Sequence, residues 1–120
     1  MCNMAAYAGS EQAAPILLQM LEAQEGIGGG HFSGIATLHE GKIHLAKVCG
    51  DFSRLREETD AASLPGTVGI AHSRTPGVIP EASWAQPFFS YDGDIALCAN
   101  GAPGRFRCDE NSQKIYDFMK

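Results

Sequence analysis

Two runs rich in β-branched and apolar residues, Ser33 to His39 and Lys42 to Val48, are separated by only two residues, Glu40-Gly41. A link that short joins antiparallel strands only, because a parallel pair needs a crossover of a dozen residues or more. The two runs therefore read as a β-hairpin. Asn3 to Ala8, closed by Gly9-Ser10, reads as a strand at the chain start. Ala14, Leu17, Leu18 and Leu21 recur with helical spacing, with Pro15 in the first turn. A second helix is expected from Phe52 to about Thr59, capped by Asp51. Thr67 to His72 and Asp94 to Ala99 read as further strands, the latter entered through the turn Tyr91-Asp92-Gly93. Asn111 can cap a last helix in which Ile115, Phe118 and Met119 share a face. Gly26 to Gly30 is expected to be a flexible connector, and the proline-bearing stretch Thr75 to Gln86 a long loop of the kind that is either functional or disordered.

At 120 residues, with 44% hydrophobic and 19% charged residues, one domain with its own core is expected. The net charge of −5, with no Lys or Arg before Lys42, disfavours nucleic acid and anionic membrane as partners. The longest apolar run, Ala13 to Leu18, falls far short of the roughly 20 residues of a bilayer span. The start of the chain lacks the pattern of a secretory signal, so a cytoplasmic protein is expected. Cys49, Cys98 and Cys108 fit no zinc spacing and are expected to be small buried thiols. His31, His39, His44 and His72 are scattered and are read as exposed, so neither a metal nor another cofactor is expected.

Three features carry possible chemistry. Cys2 becomes the first residue once Met1 is removed, which puts a thiol and an α-amino group on one carbon. The amine then serves as base for the thiol without a histidine partner. Gly69 to Thr75 is an apolar strand that ends in Arg74, whose fork of donors suits a carboxylate. Leu97 to Gly101 is a second strand ending in polar residues. There the Asn100 amide and the Gly101 backbone N–H can bind an oxyanion. Each feature has a plain alternative: a cysteine that merely follows the initiator, a solvated strand-end arginine, and an Asn-Gly turn.

Taken together, Met1-Cys2, Ala5 to Gly9, Ile16 to Leu21, Ser33 to Ala36, Gly41-Lys42, Lys47 to Gly50, Gly69 to Arg74, Ala85 to Phe88 and Ala99 to Gly101 resemble a known family. It is the class II glutamine amidotransferase domain, an N-terminal-nucleophile (Ntn) hydrolase, and in particular the glutaminase domain of isomerising glucosamine-6-phosphate synthases. The resemblance spans positions 1 to about 105. It implies an α+β fold, an α/β/β/α sandwich of antiparallel sheets. It also implies hydrolysis of glutamine to glutamate and ammonia through a γ-glutamyl thioester. Cys2 would be the nucleophile, with Asn100 and Gly101 as oxyanion donors. Arg74 would bind the substrate carboxylate, with Ser73 and Thr75 as weaker neighbours. The ammonia would pass to an acceptor on a partner synthase.

The chain differs from the family pattern in several places. Asn3 follows the nucleophile in place of glycine, and Gly28 to Phe32 stands where the family has Arg-Gly-x-Asp-Ser. Thr75-Pro76-Gly77 replaces an aromatic, a threonine and a histidine, and Gln86 replaces the histidine before the proline. The family's downstream acidic motif lies beyond Lys120, so residues 1–120 are expected to form the N-terminal portion of a type-2 amidotransferase domain. A partial sandwich leaves sheet surface open, which predicts association with itself or with a synthase partner. Two rivals remain: a non-catalytic remnant that binds glutamine or a protein partner, and an N-terminal-cysteine hydrolase of another amide.

Overall fold

The computed structural model describes residues 2–75, 82 and 85–100. Four strands form one antiparallel sheet: β1 (Asn3–Ala8), β2 (Phe32–His39), β3 (Lys42–Val48) and β4 (Val68–Arg74). Their spatial order is β1-β4-β2-β3, so β1 lies at an edge and pairs with β4 alone among the described strands. The two-residue link between β2 and β3 turns with positive φ at both residues, 49° at Glu40 and 74° at Gly41. Those angles match the right-handed twist of the flanking strands, and glycine reaches them without steric cost.

Helix α1 (Ala13–Glu22) lies against β1 and β4, and α2 (Phe52–Glu58) against β2 and β3. The apolar face read from α1 packs as expected: Ala14, Leu17, Leu18 and Leu21 are buried. With Ile35, Leu55 and Ala71 they form the core between helices and sheet. Each fully buried Leu or Ile contributes about 1.5–3 kcal/mol relative to exposure. The helix starts have different solutions for their spare N–H groups. Asp51 caps α2 by accepting the Arg54 N–H at 2.9 Å, whereas the Ala13 N–H of α1 donates to the Gly66 carbonyl at 2.9 Å.

On the sheet's other face lies a two-stranded antiparallel sheet, β5 (Phe88–Phe89) and β6 (Ala96–Leu97). Side-chain parity fixes this layering. A Cβ added at Gly69 would meet Leu17 of α1, while one at Gly34, of opposite parity, would meet the Gln86 carbonyl oxygen at 2.3 Å. The described part is thus α+β with antiparallel sheets, in the order helices, four-stranded sheet, two-stranded sheet.

Three details differ from the sequence reading. The strand expected over Asp94 to Ala99 is only Ala96–Leu97, and its partner Phe88–Phe89 was read as neither strand nor helix. The Gly26 to Gly30 stretch is pinned, not loose: the Asn3 amide donates to the Gly28 carbonyl at 2.8 Å and the Gly30 N–H donates to Ser73 Oγ at 2.8 Å. Gly29 has φ of 75° and no room for a side chain, since a Cβ there would lie 2.7 Å from Ser73 Oγ. The helix expected after Asn111 falls outside the described residues.

Candidate active site

Antiparallel register builds the site. Asn3 pairs with Ser73, so Cys2 falls beside Arg74 when the ladder is continued by one step. Side chains alternate along a strand, and this sorts the candidates by face. Asn3 points toward the helices, where its amide donates to the Gln24 carbonyl at 3.0 Å and to that of Gly28. Cys2 and Arg74 accordingly belong to the opposite face, the side of the second sheet.

Cys2 is half-buried, and two other predicted residues reach it. The Cys2 sulfur is 4.0 Å from Thr75 Oγ1. The Asn100 amide donates to the Cys2 carbonyl oxygen at 3.1 Å. Arg74 is half-buried at the end of β4, and its carbonyl accepts the His31 N–H at 3.0 Å, which fixes its backbone. One corner of the molecule therefore holds a thiol, a guanidinium-bearing residue, a hydroxyl and a carboxamide. Gly101 lies outside the described residues.

Ser73 is placed differently. It is buried on the helix face, in a relay that runs from the Gly30 N–H to Ser73 Oγ, from Ser73 to Ser33 Oγ at 2.9 Å, and from Ser33 to the Gly50 carbonyl at 2.7 Å. Because Ser33 donates to Gly50, the Ser73 proton is the one shared between the two hydroxyls. Ser73 thus ties the glycine stretch and the start of α2 to β4, with its hydroxyl turned away from the thiol.

Comparison with known proteins adds a second line of observation. No protein-family model matches the chain. Curated relatives do. Over 103 residues it is 40% identical to a glutamine–fructose-6-phosphate aminotransferase (isomerizing) of Caldanaerobacter subterraneus, covering 84% of this chain and 17% of the relative. Enzymes of the same name from Synechocystis and Rhizobium leguminosarum are 34% and 36% identical over 98% and 99% of this chain, and 19% and 18% of their own length. The chain is a homologue of the isomerizing glutamine–fructose-6-phosphate aminotransferases. It spans less than a fifth of the length of these aminotransferases. The similarity agrees with the family resemblance read from the sequence.

Two residues of this aminotransferase homologue matter to the corner and were not singled out as site residues. His72, read as exposed, is fully buried instead, because its position on β4 puts it beneath the second sheet beside Gly34. Burial, and secondarily the Arg74 charge, push its pKa down to about 4, so it is neutral at pH 7. The Ala99 backbone opposes this weakly, yet neither ring nitrogen makes a well-formed hydrogen bond among the described residues. The second residue is Gln86, also buried. Its amide donates to the Ala99 carbonyl at 3.1 Å, and its side-chain oxygen accepts the Ala99 N–H at 2.6 Å. Parity with Arg74 could have flagged His72 in the sequence, but no local signal reveals the Gln86 contact, which spans 13 positions.

Among the described residues no three of His, Cys, Asp or Glu are grouped to hold an ion. Cys49 and Cys98 are half-buried where full burial was expected, and Cys108 lies outside the described residues. Burial pushes the Cys98 thiol up to about 12 against the opposing charge of Lys47, so it is an unreactive thiol at neutral pH. No helix among the described residues is long and apolar enough to cross a membrane.

Proposed function

We propose that this chain is a class II glutaminase unit that hydrolyses glutamine by an N-terminal cysteine mechanism and supplies ammonia to a synthase. The observation that carries the reading is the convergence of Cys2, Arg74, Thr75 and Asn100 at one corner. Kinship to enzymes named for glutamine and fructose 6-phosphate supports it.

In this mechanism Met1 is removed and the freed α-amine of Cys2 takes the thiol proton. The sulfur attacks the side-chain carbonyl carbon of glutamine, forming a C–S bond and a tetrahedral oxyanion. The Asn100 amide has two N–H groups; one is held by the Cys2 carbonyl and the other is available to the oxyanion, with the Gly101 N–H as second donor. Collapse breaks the C–N bond, the protonated α-amine returns its proton to the leaving nitrogen, and ammonia departs. Water then cleaves the γ-glutamyl thioester to glutamate and regenerates the thiol. Arg74 holds the substrate α-carboxylate, and the Thr75 hydroxyl borders the same space.

The test is ammonia release from glutamine by protein whose N-terminus has been verified by mass spectrometry. Turnover that disappears in Cys2→Ala is the expected result. Glutamine binding without ammonia release would favour the non-catalytic remnant, and turnover of a different amide would favour the third reading. Turnover that survives Cys2→Ala would overturn the mechanism.

A further inference from the structure

We propose that Gln86 is the positioning residue of the oxyanion pocket: its carboxamide grips the backbone of Ala99 and thereby sets the Asn100 amide against Cys2. The inference rests on the glutaminase reading above and deepens it.

The contact has the form of a peptide pairing, the same form in which Gln24 bonds the N–H and the carbonyl of Met4. A carboxamide carries a donor and an acceptor side by side, as a peptide unit does, and Gln86 uses both on one residue. It pairs with Ala99 as a strand neighbour would, just where β6 has ended at Leu97 and the ladder of the second sheet no longer holds the chain. Asn100 follows immediately, and its amide closes on the Cys2 carbonyl. Without the grip, the described chain between Leu97 and Asn100 would keep that terminal bond, the weak His72 contact to the Ala99 backbone and the packing of Cys98, but would lose both backbone hydrogen bonds of Ala99 to a side chain.

Gln86 itself stands on a rigid base. It is 5% exposed, and its own carbonyl sits against Gly34 in β2, the second strand from the sheet's edge. A firm path therefore runs from β2 through Gln86 and Ala99 to Asn100, and then to the nucleophile. Catalytic donors act at full strength only when held to within about 0.5 Å, and a misplacement of about 1 Å costs on the order of 100-fold. Gln86 touches neither thiol nor substrate; it acts through Asn100.

The test compares two probes of Cys2 in the full chain with verified N-terminus. A glutamine-analogue diazoketone needs the carboxylate and oxyanion sites to react quickly, whereas iodoacetamide needs only the thiol. Gln86→Met keeps the length and volume of the side chain without its polar atoms. Gln86→Glu keeps the acceptor for the Ala99 N–H but turns an oxygen toward the Ala99 carbonyl. Both variants are expected to lose about 10- to 100-fold in diazoketone inactivation rate, with iodoacetamide alkylation of Cys2 within about twofold of wild type and an unchanged circular dichroism spectrum. Unchanged diazoketone rates would overturn the proposal. So would an equal fall with both probes, or loss of fold in both variants, since either would make the role generally structural. A wild-type protein showing no preference for the diazoketone would instead remove the glutaminase reading and this inference with it.

Discussion

The side-chain amide of Asn100 donates to the carbonyl oxygen of Cys2 at 3.1 Å, joining positions 98 residues apart in the chain. The bond links the start of the edge strand to the exit of the second sheet, and it brings a carboxamide donor to the backbone of the proposed nucleophile. Asn100 is exposed, so its replacement has little leverage on the core. Asn100→Ala is expected to lower kcat for ammonia release by about 100- to 1,000-fold, with melting temperature nearly unchanged. Steady-state kinetics beside a thermal melt separate the two.

Arg74 is expected to act on substrate capture. Arg74→Ala should raise KM for glutamine by about 10- to 150-fold, the equivalent of a charge-assisted bond of about 1.5–3 kcal/mol. Arg74→Lys keeps the charge but not the fork and should recover only part of the loss. An unchanged KM in Arg74→Ala would remove it from the binding site.

Ser73 provides a contrast next door. Ser73→Ala breaks the relay between Gly30, Ser33 and Gly50 and leaves the Gly30 N–H without its acceptor. The expected cost is about 1–3 kcal/mol of stability in chemical denaturation, with KM for glutamine within about twofold of wild type. A large rise in KM at constant stability would return Ser73 to the substrate side.

His72 makes stability pH-dependent with a definite sign. Its pKa falls from 6.5 in the unfolded chain to about 4 in the fold, so between these values the unfolded state binds the extra proton. Stability is full above pH 6.5 and is lost as pH falls toward 4, by at most about 3 kcal/mol. His72→Leu should flatten this part of the stability profile in urea titrations from pH 7 to 4. A profile as steep as wild type would assign the acid sensitivity to other groups.

Asn3 tests how a departure from the family pattern has been accommodated. Its amide satisfies two backbone carbonyls, those of Gln24 and Gly28, just after α1. Asn3→Gly removes both bonds and loosens the backbone beside Cys2. A loss of about 1–3 kcal/mol is expected, read as a lower denaturation midpoint.

The local elements were legible because each was written in short-range patterns. Glu40-Gly41 set the hairpin, the spacing from Ala14 to Leu21 set a helix face, and Asp51 marked a helix start. The site was legible as residue types at strand ends, but the facing of those residues was not. Whether Ser73 or Arg74 shares a side with Cys2 depends on the β1 to β4 register, which pairs positions 70 residues apart at Asn3 and Ser73. His72 was misread for the same reason: its burial comes from a covering layer far along the chain. The short strand at Phe88–Phe89 carries too few residues to show an alternation.

The position of β1 at the sheet margin has a dynamic consequence. Among the described strands β1 pairs with β4 alone, and its outer edge is held at Met4 by the Gln24 carboxamide; a ribbon secured in this way can peel away at a smaller free-energy cost than the melting of the interior. Warming should therefore detach the thiol-bearing segment from its neighbours while the packed helices still hold. In the proposed glutaminase, heat would then abolish turnover before it unfolds the helices.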